Sequence, residues 1–337
     1  MMTEGDQFVM KHLDENGVIE GFLIVLDSDN QKIQENALIG LGNFVAHDED
    51  CFAKCVQQGV LKKLRKISRI SAYNDLIKLL AWMIRSISSY HNELGESHVK
   101  IIIEIAKRII NDTDNEAVED AIYAVSYLSK KNTITNCKII EEGIVEDALQ
   151  KIQSNPLPTL NLILNICADE ENFNEFLMQM NLLDKLELVS ESENQEVKTI
   201  FFWTLSNFVA GGVRYCAFLM KHNLFSKTLD IFYNQSPNLY LRQSKYIYSL
   251  LRSCSFESHK VIFLSGILQN LIKIVPQVPE NMLVLLNISK LFFEYSSTEG
   301  FFCIDVYNFV NSMADSASKS VQNKAIEILE IFPDYHL

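Results

Sequence analysis

The sequence predicts an all-α chain built as a one-dimensional stack of helical repeats, and three observations predict it. Apolar residues make up 48% of the 337 residues, while Gly (12) and Pro (6) are scarce, which leaves few breakers for sheets and hairpins. A short apolar pattern at helical spacing recurs along the chain. At a constant distance after each copy stands a residue that accepts left-handed backbone geometry.

The recurrence is seen in Ala37 to Val45 (ALIGLGNFV), Ala121 to Ser129 (AIYAVSYLS), Thr159 to Cys167 (TLNLILNIC) and Phe201 to Val209 (FFWTLSNFV), which superimpose without gaps. Each places Asn or Tyr at its seventh position: Asn43, Tyr127, Asn165 and Asn207. Sixteen residues further on stand Gly59, Gly143, Asn181 and Asn223, and Leu250 with Gly266 supplies a fifth case. Only Gly, and less often Asn, takes positive φ cheaply, so these positions suit the sharp corner between two helices. An amphipathic helix follows each corner, as in Val60, Leu61, Leu64, Ile67 and in Ile144, Val145, Ala148, Leu149, Ile152.

Anchors at 43, 86, 127, 165, 207 and 250 are spaced by 43, 41, 38, 42 and 43 residues, the period of armadillo or HEAT units. The loops Ser28-Asp29-Asn30, Asp112-Thr113-Asp114 and Ser154-Asn155-Pro156 mark unit boundaries. The expected fold is therefore all-α, an armadillo-repeat right-handed α-solenoid. Residues 1–29 form an incomplete first repeat that turns at Gly17. Residues 30–316 hold about seven units, the second and seventh poorly formed, and 317–337 form a C-terminal capping helix with a polar outer face.

Asp and Glu number 43 against 30 Lys and Arg, a net charge of −13, which disfavours nucleic acid and anionic membranes and favours cationic partners. The basic clusters Lys62, Lys63, Arg65, Lys66, Arg69 and Lys107, Arg108 fall within helical segments and are expected on solvated faces. The seven Cys are scattered without a CxxC spacing, so neither a disulfide framework nor a zinc module is expected. The first residues lack the basic and apolar regions of a signal peptide, and no apolar run reaches membrane-spanning length, so an intracellular, soluble chain is expected. No catalytic motif stands out: Gly40-Leu41-Gly42 falls inside a helix pattern with no strand before it, and His91 and His98 are too far apart to ligate from adjacent turns. The chain is expected to be no enzyme and to need no metal or cofactor. The acidic runs Asp48-Glu49-Asp50 and Asp169-Glu170-Glu171 read as solvated loops at helix ends.

A solenoid does have a long face lined by the same helix of every unit. Trp203 and Asn207, four residues apart, project from one helix face about one turn apart. An Asn amide can pair with the N–H and C=O of an extended peptide, while an indole packs the stem and attracts the charge of Lys or Arg. The alternative is that Trp203 belongs to the core. Asn165 in the neighbouring unit, with Asp169 one turn on, completes the expected working site for a basic peptide.

At these residues the sequence resembles the importin-alpha family of nuclear-import adaptors. Phe201 to Gly211 is similar to the family's tryptophan-asparagine helix and the small-residue turn after it. The likeness continues in order: Ala37 to Ala46 resembles the third repeat, Leu80 to Ser86 the fourth, Ala121 to Leu128 the fifth, Leu162 to Glu170 the sixth and Gln243 to Leu251, more loosely, the eighth. The resemblance implies a peptide-binding groove at Trp203, Asn207, Asn165, Asp169, Asn43 and Trp82. It implies an adaptor of cytoplasm and nucleus that binds Lys/Arg-rich nuclear localisation signals of cargo proteins, with an export receptor as a further partner at the C-terminal repeats. Several family features depart here. Ile39 stands beside Asn43 in place of Trp, Ser86 beside Trp82 in place of Asn, and Tyr246 with Leu250 at the eighth pair. The basic amino-terminal segment that engages importin-beta has no counterpart in this sequence, so no direct importin-beta binding is expected. The other reading is a general armadillo scaffold for a folded or non-basic partner, in which these residues would be buried or dispersed.

Overall fold

Side chains of Asn and Asp start several of the helices, two of them in the boundary loops at Asn30 and Asp114. In the computed structural model, which describes residues 12–13, 15–69, 74–169, 173–230, 237–275, 278–300 and 302–332, no strand occurs among the described residues. Residues 1–11 and the acidic Glu170 and Glu171 lie outside them. None of the described helices is long and apolar enough to cross a membrane. By contact the chain divides into two compact units, Met1–Glu171 and Asn172–Leu337.

The first unit runs α1 (Val18–Val25), α2 (Gln31–His47), α3 (Glu49–Gln57), α4 (Val60–Ser68), α5 (Asn74–Ser88), a 3-10 turn (His91–Glu93), α6 (Glu96–Ile110), α7 (Asn115–Leu128), α8 (Thr133–Glu141), α9 (Ile144–Gln150) and α10 (Pro156–Cys167). The Asn30 carboxamide accepts from the N–H groups of Lys32 and Ile33, Asp48 from Cys51, Asp114 from Ala117 and Asn132 from Thr135, so the free donors at four helix starts are satisfied. Asp48 is thus a helix cap rather than loose loop. Two further helices follow each of the long helices α2 and α7, and after α5 the 3-10 turn stands where the first of them would be.

The long helices α2, α5, α7 and α10 pack in succession and share one burial register. Leu38, Ala81, Ile122 and Leu160 are buried at one position, and Leu41, Ile84, Val125 and Ile163 three residues on. That register turns the pairs Ile39 and Asn43, Trp82 and Ser86, Tyr123 and Tyr127, Asn161 and Asn165 away from the core.

The second unit contains α11 (Asn174–Gln179), α12 (Leu182–Glu187), α13 (Gln195–Ala210), α14 (Val213–Lys221), α15 (Asn223–Asp230), α16 (Pro237–Ser253), α17 (Phe256–Leu264), α18 (Ile267–Ile274), α19 (Pro279–Glu299), α20 (Ile304–Met313) and α21 (Lys319–Ile331). Its long helices α13, α16 and α19 follow the same register: Phe202, Ser244 and Leu286 are buried, as are Leu205, Ile247 and Ser289. Trp203 and Asn207 therefore have Lys245 and Ser249, then Asn287 and Leu291, as their equivalents. This corrects the pairing of Tyr246 with Leu250. Both are fully buried, with Tyr246 Oη beside Thr228 Oγ1 at 3.2 Å. The corner at Gly266 fixed the wrong anchor by one residue, because the connection before it is one residue longer.

Left-handed corners occur at Gly17, Gly59, Gly143, Asn181 and Gly266, with φ of 72°, 90°, 69°, 54° and 75°. Asn223 is not among them. His222 has extended backbone there, and its Nδ1 accepts from the Leu224 N–H at 3.1 Å, capping α15 without a positive φ. At Gly143 a Cβ would stand 3.3 Å from Lys107 Nζ, which reaches Asp147 Oδ2 at 2.5 Å. Gly143→Val is expected to destabilise by about 1 to 2 kcal/mol through left-handed strain, read as a lowered denaturation midpoint. An unchanged midpoint would count against the corner.

The basic clusters are engaged rather than merely solvated. Lys63 and Lys66 both reach Asp27, and Arg69 Nη2 meets Glu104 Oε1 at 2.5 Å, tying α4 to the helices of adjacent repeats. The bond from Lys63, then that from Lys66, holds the Asp27 carboxyl down at about 2. Such exposed pairs add little stability individually, but they offset part of the cluster's charge.

Candidate functional site

In the first unit, α10 and the helix start at α8 build an open pocket of about 360 Å³ lined by Ser129, Lys130, Thr133, Asn136, Asn165, Ala168 and Asp169. Asn165 Nδ2 donates to Ser126 O and to Ser129 Oγ, each at 2.9 Å, which fixes its side chain against α7. One turn later the Asp169 carboxylate receives Thr133 Oγ1 at 2.9 Å and Asn136 Nδ2 at 2.6 Å. An ionised carboxylate only accepts, so the Asn136 amide is oriented by Asp169, with its nitrogen toward the carboxylate. Its other end, Oδ1, is buried without a hydrogen-bond partner, in a residue only 2% exposed. The pocket thus offers a carboxylate held in a fixed orientation, which suits a group with N–H donors and positive charge.

Elsewhere in the first unit Asn43 is exposed beside Ile39, itself 42% exposed. The half-buried Trp82 ring lies against the backbone of Gly42: a Cβ there would be 2.0 Å from Cζ3 and 2.3 Å from Cη2. Tyr123 and Tyr127 stack with centroids 6.3 Å apart. The Arg85 guanidinium covers Tyr123 at 4.4 Å and is held by Asp120 Oδ1 at 2.6 Å. Lys130 Nζ lies 5.4 Å from the Tyr127 centroid.

In the second unit Trp203 is 37% exposed and so is not a core residue, while Asn207 one turn on is half-buried. Beside them Ser206 Oγ and Ser249 Oγ are 2.8 Å apart, joining α13 to α16. The indole already carries a cation: Arg242 Cζ sits 3.9 Å from the ring centroid. Burial lowers the pKa of this guanidinium, with Glu280 acting in the opposite direction. Lys245, the register equivalent of Trp203, meets Glu280 Oε1 at 2.9 Å.

One potential metal trio occurs among the described residues, Asp184, Glu187 and His222, whose ligand atoms lie within 4.8 Å of one another. Because His222 Nδ1 accepts from Leu224, its proton is on Nε2 and is donated to Asp184 Oδ1 at 3.0 Å. One ring nitrogen thus caps α15 and the other ties it to α12.

Asn165 and Asp169, expected together from the sequence, line one pocket, but the sequence did not point to Thr133 and Asn136, which hold the carboxylate, or to Arg242, which covers Trp203. One signal was available: Thr135 and Asn136 occupy positions of α8 where helical periodicity calls for apolar side chains.

No family model matches the chain. Among curated proteins, importin subunit alpha-1b of Oryza sativa subsp. japonica is 23% identical over 195 residues, 56% of this chain and 36% of that protein. Importin subunit alpha-2 of Arabidopsis thaliana is 25% identical over 139 residues, 41% of this chain and 26% of the relative. The matched stretch therefore spans about a third of the length of these relatives. Among solved structures, an engineered protein superimposes with a TM-score of 0.80 at 17% identity, covering 95% of this chain and 80% of its own. A designed armadillo repeat protein in complex with the peptide (KR)4 gives 0.62 at 16% identity, covering 69% and 99%. The fold is that of armadillo-repeat solenoids, and the relatives found by sequence are importin-alpha subunits. The chain is an armadillo-repeat solenoid with a distant, partial sequence similarity to importin-alpha subunits.

Proposed function

We propose that this chain is a non-enzymatic adaptor that binds Lys/Arg-rich segments of cargo proteins along the exposed faces of its long helices, as a nuclear localisation signal receptor working between cytoplasm and nucleus. The observation that carries this reading is the open pocket lined by Asn165 and Asp169, where a carboxylate held in place by Thr133 and Asn136 calls for an ammonium or guanidinium. The net charge of −13 favours such a ligand. Trp203 and Asn207 form a second proposed position, with Asn43 and Trp82 as further contacts, each taken within its own unit. The repeats at 30–316, between ends at 1–29 and 317–337, would carry these positions. An export receptor at the C-terminal repeats is a further proposed partner. The names of the importin-alpha relatives and the (KR)4 complex of a designed neighbour support the class of ligand.

The scaffold reading, with a non-basic partner, is favoured by Ile39 and Ser86 where the groove would offer Trp and Asn. Titrating a fluorescent (Lys-Arg)4 peptide into the full chain separates the two. Trp203→Ala is expected to weaken binding by about 0.5 to 2 kcal/mol through lost cation–π contact and packing, and Asn207→Ala by about 1 kcal/mol through lost backbone hydrogen bonds. If the double variant keeps its melting midpoint and its affinity, the Trp203 position is not used.

A further inference from the structure

At two register-equivalent positions of the long helices, Tyr123 and Trp203, the ring carries an arginine from its own unit, and the two arginines are held differently. Arg85 over Tyr123 is fixed by the Asp120 carboxylate. Arg242 over Trp203 makes no ion pair or hydrogen bond with any described residue, and the carboxylate that could take it, Glu280, is occupied by Lys245. At 3.9 Å from the centroid the guanidinium stands where a cationic side chain gains most from an indole. The helix that carries it, α16, holds Arg242, Lys245 and Arg252 and no acidic residue, so nothing on it attracts a second cation.

We infer that Arg242 is a built-in occupant of the Trp203 ring, held by the stack with only a distant attraction from Glu280 and no ion-pair contact, which a Lys or Arg of a bound peptide must displace to reach the indole. This rests on the proposed basic-peptide function and adds the residue that sets selectivity at that position. An arginine locked by a carboxylate, such as Arg85, is part of the wall. An arginine held by the ring without an ion pair is a competitor. Since it is tethered, its local concentration is high and constant, and it raises the threshold for weakly basic segments at Trp203 while the Asp169 pocket is unaffected.

The test uses the full chain with its two tryptophans labelled as 5-fluorotryptophan, together with the (Lys-Arg)4 peptide. Arg242→Ala is expected to move one fluorine resonance, the one that Trp203→Phe removes, and to tighten peptide binding by about two- to five-fold, the worth of one exposed cation–π contact. In a Trp203→Ala background Arg242→Ala is expected to give no gain, because the competition runs through the ring. Arg242→Lys, which keeps the charge, is expected to lie between. If the wild type binds the peptide and Arg242→Ala weakens binding or leaves it unchanged, the inference is wrong and the basic-peptide reading stands. An unmoved Trp203 resonance overturns it as well. If neither wild type nor Arg242→Ala binds the peptide, the basic-peptide reading falls and takes the inference with it. Binding by Arg242→Ala alone supports both.

Discussion

Gly42→Val is expected to destabilise the chain by about 2 to 3 kcal/mol, although it replaces the worst helix former except proline by a better one. The gain in helix propensity is about 0.3 to 0.5 kcal/mol. Against it stands the Trp82 indole, two of whose carbons would lie 2.0 and 2.3 Å from the new Cβ, with Met83 Sδ at 3.0 Å. No rotation of Val relieves a clash at its own Cβ, so the ring must leave its seat on α2 and give up apolar contact, and overpacking of this kind costs about 1 to 3 kcal/mol. Because each repeat is supported only by its neighbours, a loosened α2–α5 contact is expected to fray the chain from that end. Urea melts should show the lower midpoint and emission of the displaced Trp82 should shift to the red. An unchanged midpoint with unchanged emission would mean that the ring does not rest on Gly42.

The second large effect is expected at Asp169. Asp169→Asn preserves size but removes the charge that Thr133 and Asn136 orient, and hydrogen bonds to charged groups are worth about 1.5 to 3 kcal/mol. Affinity for (Lys-Arg)4 is therefore expected to fall by about ten-fold or more in low salt, with a lowered melting midpoint as the bonds from Thr133 and Asn136 weaken. Raising the salt from about 0.05 to about 0.5 M should shrink the gap between wild type and variant, since an open pocket is screened. A loss of affinity independent of salt would point to a disturbed fold around α8 rather than to a lost ion pair.

Most of the fold could be read from the sequence because its signals are local. Apolar spacing gives the helices, Asn30 and Asp114 announce their starts, and Gly59 and Gly143 their corners. Two local readings failed for local reasons. Asn223 shares its spacing with the corner residues, yet the side chain of His222 caps the next helix and removes the need for positive φ. Tyr246 and Leu250 were aligned by the distance to Gly266, whereas the burial of Ser244, Ile247 and Leu251 puts Lys245 and Ser249 at the exposed positions. The site was legible only in part. Asp169 could be seen as a carboxylate one turn beyond Asn165, but Thr133 and Asn136 reach it from 36 and 33 residues away. Nor does any periodicity connect Arg242 to Trp203. Contacts between helices of successive repeats depend on which rotamer meets which, and the spacing of one helix does not encode them.

The central claim is that an extended basic peptide lies along the exposed faces of the long helices. Photo-crosslinking tests it most directly, using a (Lys-Arg)4 peptide with one photoreactive residue and mapping the attachment points by mass spectrometry. The account predicts adducts on α10 and α8 around Asn165, Asp169 and Thr133, and on α13 and α16 around Trp203 and Ser249. Adducts confined to the outer helices, such as α4 around Lys63 and Arg69 or α12 around Asp184, would contradict it.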